Sequence, residues 1–138
     1  MNALLDTGFL YALFDAADRH HQEVISALDS LSMNLLLPDI VLVELAYLLQ
    51  VRLGHREMRL CLERIQDGPL ELVQLLPTDI DRGIALLHTY ADIKLDFVDA
   101  SIVAMAERLQ ICHILTTDRK DFQIIRPKHC QFFTLHPS

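Results

Sequence analysis

Residues 3–14, ALLDTGFLYALF, place one carboxylate between two apolar segments. Residues 3–5 form a short apolar run without alternation, which predicts a strand that is buried on both faces. The apolar residues from Phe9 to Phe14 predict a helical segment that follows this strand. Asp6 therefore stands directly after the first strand, at the carboxyl end where ligands bind in open parallel sheets.

Short apolar runs and helical segments alternate along the rest of the chain. Further strands are predicted at 35–37, 70–76, 113–116 and 131–135. Helices are predicted at 20–31, 40–53, 55–66, 78–90 and 96–109. Short strands separated by helices predict an α/β fold, a three-layer α/β/α sandwich with a mostly parallel sheet of about five strands. At 138 residues, we expect one domain spanning 1–138.

Three local expectations concern the helices. Asp39 is expected to cap the helix at 40–53, and Gly54 to end it. In the helix at 78–90, Ile80 and Ile84 are expected to face inward. The helix at 40–53 is so apolar that no exposed face is obvious.

The composition excludes several classes of protein. Hydrophobic residues make up 51% of the chain and mean hydropathy is +0.25, so much of the chain must be buried. No apolar run approaches the roughly 20 residues that cross a bilayer, and no secretory signal is visible. The three cysteines are scattered, which predicts reduced, metal-free thiols in the cytoplasm. A formal charge of −7 argues against simple duplex binding, unless bound cations reverse the local sign.

Glu44 lies in an apolar segment, DIVLVELAYLLQ at 39–50. We expect this side chain to be at least partly buried, where an ionised carboxylate costs several kcal/mol unless a cation or strong donors meet it. A salt bridge to Arg52 is the alternative explanation.

Three more aspartates occupy comparable positions. In KLDFVDASIVAMAERL at 94–109, Asp96 is the natural N-cap and Asp99 is expected to point towards the buried face. Asp118 follows the fourth strand as Asp6 follows the first. Thr7 and Thr117 flank these two acids with hydroxyls that could orient a ligand or a water molecule.

Together these positions predict a metal site. Carboxylates that converge repel one another unless a divalent cation lies between them. A ligand set of oxygens alone favours Mg²⁺ or Mn²⁺ over zinc, and Mg²⁺ commonly binds phosphate as well. The expected ligands are Asp6, Glu44, Asp99 and Asp118.

Four segments in order, LLDTGFL, LVELAYLL, LDFVDASIVAMAERL and ILTTDRKDF, resemble PIN domain (PilT N-terminal domain) nucleases, especially the small VapC-type toxins. The resemblance implies metal-dependent cleavage of RNA by the four acids named above, with Asp96 as a supporting acid. It also implies a small antitoxin protein as a partner, and a homodimer. Gly8 departs from the family, because many relatives carry Ser or Asn there, and we expect this to weaken metal binding.

Basic residues near the predicted site are few. Lys94, Arg119 and Lys120 are candidate RNA contacts, although DRKD at 118–121 also fits an ordinary solvated turn.

Other functions remain open at this point. A PIN fold without activity could serve as a module that binds RNA or protein. A phosphatase of the haloacid dehalogenase type also places an aspartate after its first strand, but it needs a second acid where Gly8 stands. A receiver-type signalling domain needs an acid pair near the end of the first strand, and Asn2 and Ala3 supply none.

Overall fold

A computed structural model describes residues 1–138. The strands are β1 (Asn2–Leu5), β2 (Asn34–Pro38), β3 (Glu71–Val73), β4 (His113–Leu115) and β5 (Thr134–His136). The α-helices are α1 (Thr7–Phe14), α2 (His21–Ser30), α3 (Asp39–Leu53), α4 (His55–Asp67), α5 (Pro77–Thr89), α6 (Phe97–Leu109) and α7 (Lys120–Ile124). A short 3₁₀ helix covers Ala91–Ile93. None of these helices has the length and apolar character that spanning a membrane requires.

All five strands are parallel and pair in the order β3-β2-β1-β4-β5. The chain first moves outward from β1 to β3 and then returns to the other side of β1 to form β4. Because crossovers between parallel strands are right-handed, this reversal places α1–α4 and α5–α6 on opposite faces of the sheet. The predicted three-layer fold is confirmed. The strand order reverses between β1 and β4, where open α/β sheets bind ligands.

Helix α6 is the most deeply buried helix, because every side chain from Asp99 to Ala106 is buried. Its position against α5 is fixed by a buried ion pair. The Arg108 guanidinium donates to both carboxylate oxygens of Asp79 at 2.9 Å, and Asp79 is only 2% exposed. A second ion pair joins Arg82 to Glu107 at 2.7 Å. These contacts fasten the C-terminal end of α6 to α5, whereas the start of α6 is held by its N-cap, Asp96.

The orientation predicted for α5 is wrong. Ile80 and Ile84 are 38% and 47% exposed, whereas Asp79, Gly83 and Leu86 face inward. The Asp79–Arg108 ion pair sets this rotation, because burying Asp79 turns its neighbour Ile80 towards solvent.

Helix α3 also differs from its prediction. It has an exposed apolar stripe of Val43, Tyr47 and Val51, each more than 60% exposed. Asp39 does not cap the helix; Pro38 is the N-cap residue, and the Asp39 carboxylate accepts from the Leu75 amide at 3.2 Å. Gly54 ends the helix as predicted, with a φ of 99° that disfavours other residues.

The remaining differences lie at the edges of the sheet. β3 and β5 are three-residue strands, shorter than the predicted runs at 70–76 and 131–135. The sequence does not predict helix α7, because the helix begins inside the polar DRKD segment, at Lys120.

Candidate metal centre

Asp6 lies at the carboxyl end of β1, and it is 6% exposed. Its Oδ1 accepts from the Thr7 amide at 2.8 Å, which makes it the N-cap of α1. Its Oδ2 accepts from the Thr116 hydroxyl at 2.7 Å. Burial raises the pKa of Asp6 to about 6 despite these two donors, and the charges of Glu44 and Asp118 also act to raise it.

Thr116 is a residue that the sequence reasoning missed. It is fully buried, its hydroxyl holds Asp6, and its amide donates to the His136 carbonyl at 2.9 Å. The signal that could have found it is the parallel register, since Leu5 pairs with Leu115 and the residues that follow them are neighbours. Thr117 was predicted instead, from its position beside Asp118.

Asp99 occupies the third position of α6 and is 8% exposed. Asp96 caps this helix by accepting from the Asp99 amide at 2.8 Å, in agreement with its predicted N-cap position. The pKa of Asp99 is raised to about 9, first by burial and then by the negative charges of Asp6, Asp96, Asp118 and Asp121. Asp99 takes part in none of the ion pairs of the structure.

Glu44 is half-buried, as expected, and Asp118 is exposed. Both are close enough to Asp6 to act on its pKa. Glu44 makes none of the ion pairs in the structure. The alternative partner, Arg52, instead places its guanidinium carbon 4.8 Å from the centre of the Tyr11 ring.

Asp121 is a further acid that the sequence reasoning did not select. It lies in the first turn of α7, and burial followed by the charge of Asp118 raises its pKa. We refer to Asp6, Glu44, Asp96, Asp99, Asp118 and Asp121 as the acidic cluster. The sequence indicates a solvated turn at 118–121, DRKD, and therefore does not place Asp121 near Asp99.

The two predicted threonines have different surroundings. Thr7 is 3% exposed, and its hydroxyl is buried without a hydrogen-bond partner. Thr117 is half-buried and lies against Gly8, where an added Cβ would be only 2.7 Å from the Thr117 hydroxyl oxygen. In this chain, the Thr117 hydroxyl therefore occupies space that a side chain at position 8 would need.

The three candidate RNA contacts also differ. Lys94 and Lys120 are exposed. Arg119 is half-buried and donates a hydrogen bond to the Pro137 carbonyl, so part of its guanidinium is already used within the chain.

The donor set of the acidic cluster suits a hard divalent cation, although no three of its carboxylates have oxygen atoms within 4.8 Å of one another. It gathers carboxylates from β1, α3, α6 and the segment after β4, and all of its donor atoms are oxygen. The raised pKa values of Asp6 and Asp99 follow from burying like charges together, and a cation at this place would reverse that effect.

The sequence profile of the PIN domain family matches residues 3–126. The chain belongs to the PIN domain family. As a PIN domain protein it is similar to ribonuclease VapC26 of Mycobacterium tuberculosis, with 32% identity over 134 residues that cover 97% of this chain and 99% of the relative. The predicted resemblance to VapC-type PIN domains is confirmed.

Solved structures share the PIN fold. One is Mycobacterium tuberculosis VapC20, described as a Sarcin-Ricin loop cleaving toxin, with a TM-score of 0.75 and 22% identity over 81% of this chain and 86% of that chain. Another is a toxin–antitoxin complex from Klebsiella pneumoniae, with a TM-score of 0.64 and 25% identity over 87% of this chain and 89% of that chain.

Proposed function

We propose that this protein is a metal-dependent endoribonuclease, which hydrolyses RNA phosphodiester bonds as the toxin of a toxin–antitoxin pair. The observation that carries the proposal is Asp99, a buried carboxylate that lies near other carboxylates and takes part in no ion pair. The related ribonuclease supports the same activity, since it aligns with almost the whole chain. Membership of the PIN family removes the reason to consider a haloacid dehalogenase type of phosphatase.

The acidic cluster would hold Mg²⁺ or Mn²⁺. We assign Asp6, Glu44, Asp99 and Asp118 as ligands, with Asp96 in support because it holds the first turn of α6 in place. Thr116 positions the Asp6 carboxylate, and Asp121 adds negative charge beside Asp99. When bound, such an ion lowers the pKa of water and neutralises charge that develops on the phosphate.

The protein side chains then orient the reactants. Water attacks phosphorus in line with the 3′ oxygen, the bond to that oxygen breaks, and the products carry a 5′-phosphate and a 3′-hydroxyl. The unpaired hydroxyl of Thr7 and the hydroxyl of Thr117 are available to orient water. Lys94 and Lys120 are exposed and would contact the RNA backbone, whereas Arg119 would have to share its guanidinium with Pro137.

Two exposed apolar surfaces support the proposed protein partners. The α3 stripe of Val43, Tyr47 and Val51 begins beside Glu44, so an antitoxin bound there would also cover the acidic cluster. Ile80 and Ile84 form a separate exposed pair on α5, which we propose as the contact with a second copy of this chain. Exposed apolar sets of this kind mark interaction sites.

Two organisational proposals remain. The one sheet that uses strands from Asn2 to His136 supports a single nuclease domain over residues 1–138. The three free cysteines support a reducing compartment, which in a bacterial toxin is the cytoplasm.

The test is cleavage of a structured RNA pool with Mg²⁺ or Mn²⁺. Asp6→Asn and Asp99→Asn are compared with Asp81→Asn, which changes an exposed acid of α5 outside the acidic cluster. We expect the first two variants to lose at least about 100-fold in rate, because even outer-shell changes at metal sites cost 10–100-fold. The control should cleave at the wild-type rate, and a chelator should stop all cleavage.

Thermal unfolding with the same ions separates nuclease activity from metal binding. An ion at 100 times its dissociation constant should stabilise the wild type by about 2.7 kcal/mol, and it should stabilise Asp99→Asn much less. Stabilisation without RNA cleavage would identify an inactive metal-binding module. If neither cleavage nor stabilisation occurs, the metal site itself is wrong.

A further inference from the structure

The strongest unassigned feature lies at the opposite end of β4 from the acidic cluster. Cys112 directly precedes β4, and His129 and Cys130 lie in the segment before β5. One ring nitrogen of His129 and the two sulfur atoms all lie within 4.8 Å of one another. We refer to these three residues as the thiol–imidazole cluster.

His129 is held firmly in place. Its Nε2 lies 2.6 Å from the Ile111 carbonyl, and its ring packs edge-on against Phe133 with centroids 6.0 Å apart. The preceding residue, Lys128, donates its amide to Glu107 at 2.8 Å. The imidazole is therefore already ordered beside the sulfur atoms. It would lose little conformational freedom when the three residues bind a ligand.

The protonation of this ring leaves one nitrogen unused. A carbonyl can only accept a hydrogen bond, so Nε2 carries the proton and Nδ1 carries the free lone pair. Nδ1 is buried and has no hydrogen-bond partner, whereas the ring's contact with the Cys130 sulfur, at 3.7 Å, is made by Nε2. An ion held by all three residues would therefore either turn the ring to use Nδ1 or replace the Ile111 carbonyl at Nε2. A histidine that donates one N–H to a backbone carbonyl while its other nitrogen is free has the arrangement found in metal-binding histidines. An unpaired buried acceptor is otherwise unfavourable.

We propose that Cys112, His129 and Cys130 bind a zinc ion. Two thiolates and one imidazole form a soft ligand set that favours Zn²⁺, whereas the acidic cluster offers only oxygen and favours Mg²⁺ or Mn²⁺. Three protein ligands leave a fourth position for water. His129 also lines an open groove of about 570 Å³, which gives an ion access from solvent.

The ion would tie together segments that the sheet joins only weakly. β4 and β5 are three-residue strands, β5 is at the edge of the sheet, and the Thr134 amide donates to the Cys112 carbonyl at 2.8 Å. β5 in turn holds Thr116 through the His136 carbonyl.

The experiment is titration of the reduced full chain with Zn²⁺ and with Co²⁺, which reports thiolate ligation through a near-ultraviolet sulfur-to-metal absorption band. We expect one equivalent of zinc and this band in the wild type. Cys112→Ala and Cys130→Ala should weaken binding by at least about 100-fold, more than an outer-shell change would. Cys61→Ala is the matched control, because it removes the third cysteine, which is buried on α4.

The outcome does not depend on the nuclease proposal. Asp99→Asn should keep the thiolate band, since it changes only the acidic cluster. His129→Gln provides the same test as the cysteine variants if either of those fails to fold. Absence of the band from the wild type, or its persistence in Cys112→Ala, would overturn the proposal. So would a protein that takes up no zinc when reduced but links Cys112 to Cys130 in air.

Discussion

Two buried aspartates, Asp79 and Asp99, occupy the same local position in helices that pack against each other. Each is the third residue of its helix, α5 or α6, and they are 2% and 8% exposed. Asp79 accepts hydrogen bonds from Arg108 and from the Leu76 amide. Asp99 instead faces the other members of the acidic cluster.

This difference distinguishes Asp79, which stabilises the packing of two helices, from Asp99, which we propose as a metal ligand. An acid in the first turn of a helix is favoured by the helix dipole, so local sequence explains both residues equally well. Asp79 and Asp99 are distinguished only by the charges of the side chains around them. Asp79 already has its cation within the chain, whereas Asp99 makes no ion pair, and we propose that an ion from solution takes that place.

Replacing the two acids should have opposite effects on stability. Asp79→Asn should destabilise the protein by about 3–5 kcal/mol, because it leaves the Arg108 guanidinium without its buried partner. Asp99→Asn should stabilise the metal-free protein by several kcal/mol near pH 8, because the unfolded chain ionises Asp99 whereas the folded protein holds it protonated. Urea unfolding in the presence of a chelator measures both values. Two changes of the same sign would contradict the comparison.

The pH dependence of stability should come from the acidic cluster. The pKa of Asp99 is about 9 in the folded protein and that of Asp6 about 6, both well above the ordinary value of 3.8. The folded protein therefore keeps protons that the unfolded chain releases, and stability should fall as the pH rises. The shift of Asp99 alone corresponds to about 1.4 kcal/mol per pH unit, so we expect a loss of about 4 kcal/mol between about pH 5 and pH 8 without metal.

The same unfolding series on Asp99→Asn provides the control. Its stability should depend much less on pH over this range, since only the smaller shift of Asp6 remains. If Asp99→Asn retains the full pH dependence of stability, other titratable groups must cause it.

Neighbouring threonines after β4 should differ in their effect on metal binding. Thr116→Val removes the donor to Asp6, and we expect about tenfold weaker Mn²⁺ binding, as for other residues that orient a metal ligand. Thr117→Val is the matched change, and it should weaken binding by less than about threefold. Calorimetric titration with Mn²⁺ measures both. The reverse order would favour Thr117 as the residue that positions the site.

Gly8 and Thr117 should be coupled. Gly8→Ser adds a Cβ that would be 2.7 Å from the Thr117 hydroxyl oxygen, so the neighbour must move. We expect a loss of about 1 kcal/mol in wild type and almost none when Thr117→Ala is also present. Equal losses in both backgrounds, measured by urea unfolding, would show that the contact is unimportant.

Much of the fold and part of the candidate site could be predicted from sequence. Asp6 and Asp118 follow apolar runs, and parallel strands bring such residues to one edge of the sheet, so their approach was expected. Thr116 and Asp121 were missed because strand register and a five-residue helix decide where those side chains point. The roles of the acidic cluster in metal binding stay predictions until metal is added.

The periodicity of apolar residues did not by itself predict which sides of α3 and α5 are buried. In α5 the Asp79–Arg108 pair outweighs the apolar character of Ile80 and Ile84, because leaving a buried charge unpaired costs more than exposing part of an apolar side chain. In α3, apolar residues occur on every side, so the sequence does not indicate which of them stay exposed.

The sequence by itself determined the order of strands and helices, the parallel sheet and the family, because these follow from local apolar patterns and short motifs. The tertiary structure alone decided which buried aspartate has a guanidinium partner and which does not. It also brought Cys112 and Cys130 together with His129, which their spacing along the chain did not suggest. The physical reason is that ion pairing and metal ligation depend on the distances between side chains. Those distances are set by how residues far apart in the sequence pack together.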